Sequence, residues 1–245
     1  MRLLIHAGTE KTGSSHIQTI CVKGRGQMEA YSVFLPMGMP KHEARMAAGL
    51  VSAGNAFPLI VNLHESDWSN VTSQLTVHIE RARERNCESV FLTSELFLSY
   101  LRSEDAWSRL VEIARVVGFT KVKILVVLRN PAEQLVSLYK HRAKKGAVNT
   151  IDVWCKKGYE LPADLGRLRL QARSAEVAIS ARQYTRKPGG LERILFKDFL
   201  HIKTPQVNLP GAVNPSLGLS ELALIRQMSS LHPEAVSSVY QTLIR

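Results

Sequence analysis

A lysine, a threonine and two serines crowd around one glycine in Lys11-Thr12-Gly13-Ser14-Ser15. The segment before them, Leu3-Leu4-Ile5-His6-Ala7-Gly8, reads as a strand, and the segment after them as a helix opening near Ser14. A strand that turns through Gly8 and Gly13 into a helix start gathers backbone N–H groups and the positive end of a helix dipole at one point, which is a place for an anion. Lys11 adds charge there, and the hydroxyls add donors. The usual nucleotide-hydrolase loop, G-x-x-x-x-G-K-[ST], has the same separation of glycines but needs its lysine where this chain has Ser14. The lysine stands instead at position 11, which speaks against an ordinary ATPase or kinase.

A second candidate grip lies in Leu125-Val126-Val127-Leu128-Arg129-Asn130-Pro131-Ala132-Glu133-Gln134-Leu135-Val136-Ser137. A strand ends in Arg129, Pro131 opens a helix with Glu133 near its positive end, and Ser137 follows Arg129 by eight positions. Guanidinium offers a permanent charge and a planar fork, and serine a short donor, so the pair suits a phosphate. Taken singly, an arginine at a strand end also caps a carbonyl or pairs with a carboxylate, and a helical serine also faces water.

Taken together, the two segments resemble the sulfotransferases that use 3′-phosphoadenosine 5′-phosphosulfate (PAPS). Lys11-Thr12-Gly13-Ser14-Ser15 is similar to the K-[ST]-G-[ST]-[ST] loop of that family, and the flanking Gly-Thr-Glu-Lys-Thr-Gly form is similar to its bacterial members. The resemblance implies that Lys11, Thr12, Gly13, Ser14 and Ser15 hold the 5′-phosphosulfate end of PAPS. It implies that Arg129 and Ser137 hold the 3′-phosphate, that the fold is P-loop-like, and that the product is adenosine 3′,5′-bisphosphate (PAP). Weaker likenesses are Val90-Phe91-Leu92-Thr93-Ser94-Glu95 and Val213-Asn214-Pro215-Ser216-Leu217. The chain departs from the family in carrying His16, where cytosolic relatives have an aromatic residue after the paired hydroxyls. Its basic segment Arg186-Lys187-Pro188-Gly189-Gly190 precedes the last predicted strand, so no cofactor role is carried over to it.

Sulfuryl transfer is an in-line displacement in which positioning and neutralisation of spread negative charge dominate, and no metal is required. Lys11 is the residue to neutralise the leaving oxygen. An acceptor hydroxyl needs a base, and Glu95, just past a strand end, is the first candidate, with pairing to a basic side chain or capping of the next helix as its alternative role. His16, His42 and Glu10 follow it. His6, within an apolar strand, reads as a hydrogen-bonded core histidine. The acceptor would be a hydroxyl or amine on a carbohydrate, lipid or small metabolite, met by residues 36–60 and the basic stretch 140–160.

These residues require a scaffold. Apolar runs at 2–7, 31–35, 89–94, 122–128 and 193–197 read as strands, and 14–22, 66–85, 104–117, 131–145, 163–183 and 218–230 as helices. Ser220 and Glu221 would open the last of these. Runs such as Lys123-Ile124-Leu125-Val126-Val127-Leu128 are apolar without alternation, the mark of strands covered on both faces in a parallel sheet. The expectation is an α/β fold in one domain spanning 1–245.

With 45% hydrophobic and 22% charged residues in 245, the chain has the make-up of a globular protein. Its net charge of +11 favours anionic partners, including a nucleotide cofactor, an acidic glycan or a lipid headgroup surface. Zinc-finger spacing and RNA-binding aromatic signatures are missing, so nucleic acid is not expected as a partner. The opening apolar run breaks at His6, too soon for a secretory signal, and no stretch reaches the ~20 apolar residues of a membrane span. Cys21, Cys87 and Cys155 are far apart and odd in number, which implies reduced thiols and a cytoplasmic setting. The rival readings are a P-loop kinase and a basic anion-binding protein without turnover.

Overall fold

Strand β1 (Arg2–Ala7) is apolar on both faces because both faces are covered. Leu3, Ile5 and Ala7 join one hydrophobic core with Val90, Leu92, Ile124 and Val126, whereas Leu4 joins a second with Phe91, Leu125 and Val127. A strand presents alternate residues to opposite sides, so two cores on one strand mean a sheet between two helical layers.

The computed structural model describes residues 1–102, 105–143, 150–157 and 159–209, together with 220, 221, 223, 224 and 227. The chain divides into two compact units, Met1–Leu128 with Leu161–Pro210 and Arg129–Glu160 with Gly211–Arg245. In the first unit β1 is followed by α1 (Ser14–Lys23), α2 (Arg25–Ala30), β2 (Val33–Phe34), α3 (Pro40–Ala47), α4 (Phe57–His64), α5 (Trp68–Glu84), β3 (Ser89–Ser94), α6 (Phe97–Tyr100), α7 (Ala106–Val116) and β4 (Lys121–Leu128). The second unit contributes α8 (Pro131–Ala143) and α9 (Ile151–Lys157). The first resumes with α10 (Leu161–Ser174), β5 (Ala178–Gln183), α11 (Gly190–Glu192) and a π-helix (Arg193–Leu200). All five strands are parallel, in the order β2-β3-β1-β4-β5, so the expected α/β class with a parallel sheet is what the chain forms.

Two predicted elements are corrected. The segment 193–197 is not a strand but the start of the π-helix. Ile194 and Phe199, like Leu195 and Leu200, are five residues apart and buried, the spacing that brings side chains together when a helix turns at i to i+5. Within a five-residue window the same residues look like an apolar strand. The helix expected over 163–183 ends at Ser174. Glu176 takes a left-handed backbone (φ 54), and β5 follows, largely exposed and paired only with β4. An edge strand has little apolar content to announce it. Of the helix expected over 218–230, only residues 220, 221, 223, 224 and 227 are described, and they are helical; Asn214, Pro215 and Ser216 lie outside the described residues. No helix among the described residues is long and apolar enough to cross a membrane.

Asn55 holds the loop before α4 to the sheet. Its buried amide donates to the carbonyls of Pro36 and Phe91, each at 3.1 Å, and its Oδ1 accepts from the Thr93 N–H at 2.8 Å. Asn55→Ala strips three buried backbone groups of a partner at once and is expected to lower stability by about 2–4 kcal/mol in urea unfolding. A loss under about 0.5 kcal/mol would mean that water replaces the amide.

Candidate functional site

β1 lies between β3 and β4, and the chain leaving β3 reaches β4 on the far side of β1. In parallel sheets ligands collect at the carboxyl ends of the strands where the order reverses in this way. The loop of residues 8–13 sits there. Three hydrogen bonds shape it. The Gly8 N–H donates to the Ser94 carbonyl at the end of β3 (3.1 Å), the Thr9 hydroxyl donates to the Val127 carbonyl in β4 (2.9 Å), and the Thr12 hydroxyl donates to the Thr9 carbonyl (2.6 Å). Both threonines are buried. Since the Thr12 hydroxyl proton is committed to Thr9, what Thr12 offers a ligand is its backbone N–H.

Lys11 (φ 67) and Gly13 (φ 83) have left-handed backbones, the conformation that turns successive N–H groups of a loop toward one side. At position 13 glycine is favoured by its φ, and a Cβ there would lie 2.3 Å from Leu191 Cδ1, so that the leucine side chain would have to shift. Helix α1 then begins at Ser14 with no side-chain cap and no acidic residue in its first turn. Such a helix start is a place where an anion would be favoured. Ser14 is buried and its Oγ has no partner among the described residues, whereas Ser15 is half-buried. Lys11, Thr12, Gly13, Ser14 and Ser15 thus lie together where the loop after β1 enters α1 in the first unit, a candidate cradle for an anion.

Glu95 stands one residue beyond the strand end that anchors Gly8, and it is half-buried. The preceding Ser94 hydroxyl donates to the Ala53 carbonyl at 2.6 Å. Ala53 in turn donates its N–H to His42 Nδ1 at 3.3 Å, so Ala53 links His42 on α3 to the end of β3 that precedes Glu95. Its ring rests against Phe57, and burial with Lys41 and Arg45 nearby holds its pKa below the usual histidine value. His16 is engaged elsewhere, with its Nε2 2.7 Å from Glu192 Oε1, a contact that ties α1 to α11. Glu192, 176 positions from His16, carries no local signal that would have marked it.

Arg129 and Ser137 belong to the second unit. Arg129 follows the last residue of β4 in the chain and pairs through Nε and Nη2 with Glu133 Oε2, at 3.1 and 3.0 Å. Asn130 caps α8 by accepting from the N–H groups of Ala132 and Glu133. Ser137, half-buried, lies two turns along α8. Among the described residues no three His, Cys, Asp or Glu side chains are placed to hold a metal ion. The sequence matches no family model, and neither a curated protein nor a solved structure matches the chain.

His6 is buried beneath the cradle, and desolvation pushes its pKa down to about 4. His78, half-buried on α5, is also brought to about 4, by desolvation and then by Arg81. The unfolded chain takes up protons near pH 6.5 that the folded chain refuses until about pH 4. Stability should therefore be full above pH 6.5 and decline as the pH falls toward 4. Denaturant unfolding at several pH values is expected to show this slope, and to show less of it in His6→Gln; a slope unchanged in that variant would place its origin elsewhere.

Proposed function

We propose that the chain is a PAPS-dependent sulfotransferase that moves a sulfuryl group to an acceptor hydroxyl or amine on a carbohydrate, lipid or small metabolite and releases PAP. The observation that carries the reading is the cradle after β1, an uncapped helix start with its lysine ahead of the second glycine. A lysine at that place reaches the loop from outside the helix. That suits neutralising a leaving oxygen better than holding a metal-bound triphosphate.

In this reaction the acceptor oxygen attacks sulfur in line with the bond to the 5′-phosphate. That S–O bond breaks, its electron pair stays on the phosphate oxygen, and the acceptor proton passes to a base. Lys11 and the N–H groups of residues 12–15 take the charge that gathers on the phosphate. The resemblance assigns the 3′-phosphate to Arg129 and Ser137, which belong to the second unit. Glu95 leads as base, because it stands one residue past the strand end whose carbonyl anchors Gly8, on the carboxyl edge of the sheet that carries the loop. The half-exposed surroundings of His42 in the 36–60 region suit a role in receiving the acceptor.

PAP is expected to raise the melting temperature more than ATP with magnesium does, since a ligand of the native state stabilises it by mass action. The opposite order would favour a kinase, and no shift with either nucleotide would leave a basic anion-binding protein. Lys11→Ala, and Arg129→Ala with Ser137→Ala, should each weaken PAP binding by about 10- to 100-fold in calorimetry. Glu95→Gln should keep PAP affinity and lower kcat by about 100-fold or more. Full turnover in Glu95→Gln would transfer the base role to another residue.

A further inference from the structure

The His42 ring is held by a hydrogen bond that has only one direction open to it. Its Nδ1 lies 3.3 Å from the Ala53 N–H, and a backbone N–H donates and never accepts, so Nδ1 holds a lone pair. An imidazolium has a proton on each nitrogen and would lose this bond. Burial, then Lys41 and Arg45, also hold the His42 pKa below the usual histidine value, so the ring is neutral at pH 7. The single proton of the neutral ring therefore stands on Nε2, which has no hydrogen-bond partner among the described residues.

The loop that supplies Ala53 is itself fixed. Buried Ser52 donates its hydroxyl to the His42 carbonyl at 3.2 Å, accepts from the Gly54 N–H at 3.1 Å and lies 3.4 Å from Nδ1. Gly54 (φ 83) runs so close to β3 that a Cβ there would stand 2.0 Å from the Thr93 carbonyl oxygen. Ser94 joins this loop to the candidate cradle, since its hydroxyl donates to the Ala53 carbonyl at 2.6 Å and its carbonyl accepts from the Gly8 N–H at 3.1 Å. Hydrogen bonds thus lead from the loop after β1 through the end of β3 to His42, all within the first unit. The Phe57 ring, 5.0 Å away between centroids, limits the imidazole further, and Nε2–H is left as a held donor on a half-buried residue.

The charges beside this donor have one sign. Lys41 and Arg45 are exposed on α3, and neither has an ion pair among the described residues. Glu43, the one carboxylate of α3, is taken by Arg25 and by the Gly38 N–H, each at 2.7 Å. A fixed N–H next to two uncompensated cations suits a negatively charged oxygen. We propose that His42 is a specificity-determining residue, a neutral imidazole whose Nε2–H donates to a carboxylate that the acceptor carries near the hydroxyl it offers, as a uronate sugar or a hydroxy acid does. Lys41 and Arg45 add the charge that draws such an acceptor in. The inference rests on the sulfotransferase reading, gives the acceptor its charge within it, and leaves the base role with Glu95.

Two measurements on the full chain test it. In the ligand-free protein at pH 7, ¹⁵N histidine spectra should show His42 as the neutral Nε2–H tautomer, identified by the resonances that His42→Gln removes. An Nδ1–H tautomer or an imidazolium overturns the donor role. The second measurement is PAP release from PAPS with methyl glucuronide, methyl glucoside and 3-hydroxybutyrate as acceptors. The glucuronide or the hydroxybutyrate should exceed the glucoside by about tenfold in kcat/KM, and which of the two leads says whether the carboxylate comes on a sugar or on a hydroxy acid. His42→Ala should raise KM for the preferred acid by about tenfold and hold kcat within about twofold, and His42→Gln, which restores an N–H donor, should recover most of that loss. A fall in kcat shared by both variants would make His42 a proton carrier and overturn the proposal, as would a glucoside preferred to both acids. PAPS left intact with all three acceptors while PAP still raises the melting temperature overturns the acidic acceptor alone. If PAP has no effect either, the sulfotransferase reading fails and the acceptor role of His42 goes with it.

Discussion

Everything at the candidate site depends on the loop after β1 being pinned to both neighbouring strands. Gly8 is held by the end of β3 and Thr9 by the end of β4, and Thr12 closes the loop onto Thr9. These bonds are buried or nearly so, which makes each one costly to leave unmade. They also make the loop geometry a consequence of sheet register. A slip of β3 or β4 by one residue would turn the anchoring carbonyl away from the loop, because successive carbonyls of a strand point to opposite neighbours. The parallel pairing of β1 with β3 and β4 therefore sets the shape of this loop as much as it sets the fold.

The first turn of α1 shows the tension between stability and recognition. A helix start is ordinarily satisfied by a capping side chain and favoured by acidic residues, and α1 has neither. Ser14 is buried with no partner for its hydroxyl among the described residues, and Lys11 holds a backbone conformation that residues other than glycine avoid. Each is unfavourable for folding by itself, and all fall within a few residues. Such a concentration is what a preorganised binding site looks like, because groups committed to the ligand cannot also be committed to the protein.

Much of this was legible in the residues. The strands at 2–7, 89–94 and 121–128 stand out because both faces are covered, so their sequences are apolar without interruption. β5 was hidden among helical signals because an edge strand with one neighbour can be built of Ala178, Ser180, Arg182 and Gln183. The π-helix imitates a strand over any five residues and shows itself only through pairs five apart. The cradle residues Lys11 to Ser15 were visible as a contiguous cluster, but the contacts that place their neighbours were not. His6 reads as a hydrogen-bonded core histidine from its apolar context, and the structure finds it so, fully buried with Nδ1 2.9 Å from Thr93 Oγ1. The Glu192 contact to His16 is made by distant parts of the chain, and no local pattern encodes it.

The left-handed backbone at Lys11 has an evolutionary corollary. Glycine adopts that conformation freely, so a change to glycine at this position would relieve roughly 1 kcal/mol of strain while discarding the only side-chain cation of the loop. A library of variants selected for heat resistance alone would tend to collect this exchange, and, on the proposed function, one selected for turnover would purge it. Position 11 is thus a place where robustness and activity pull the same codon in opposite directions.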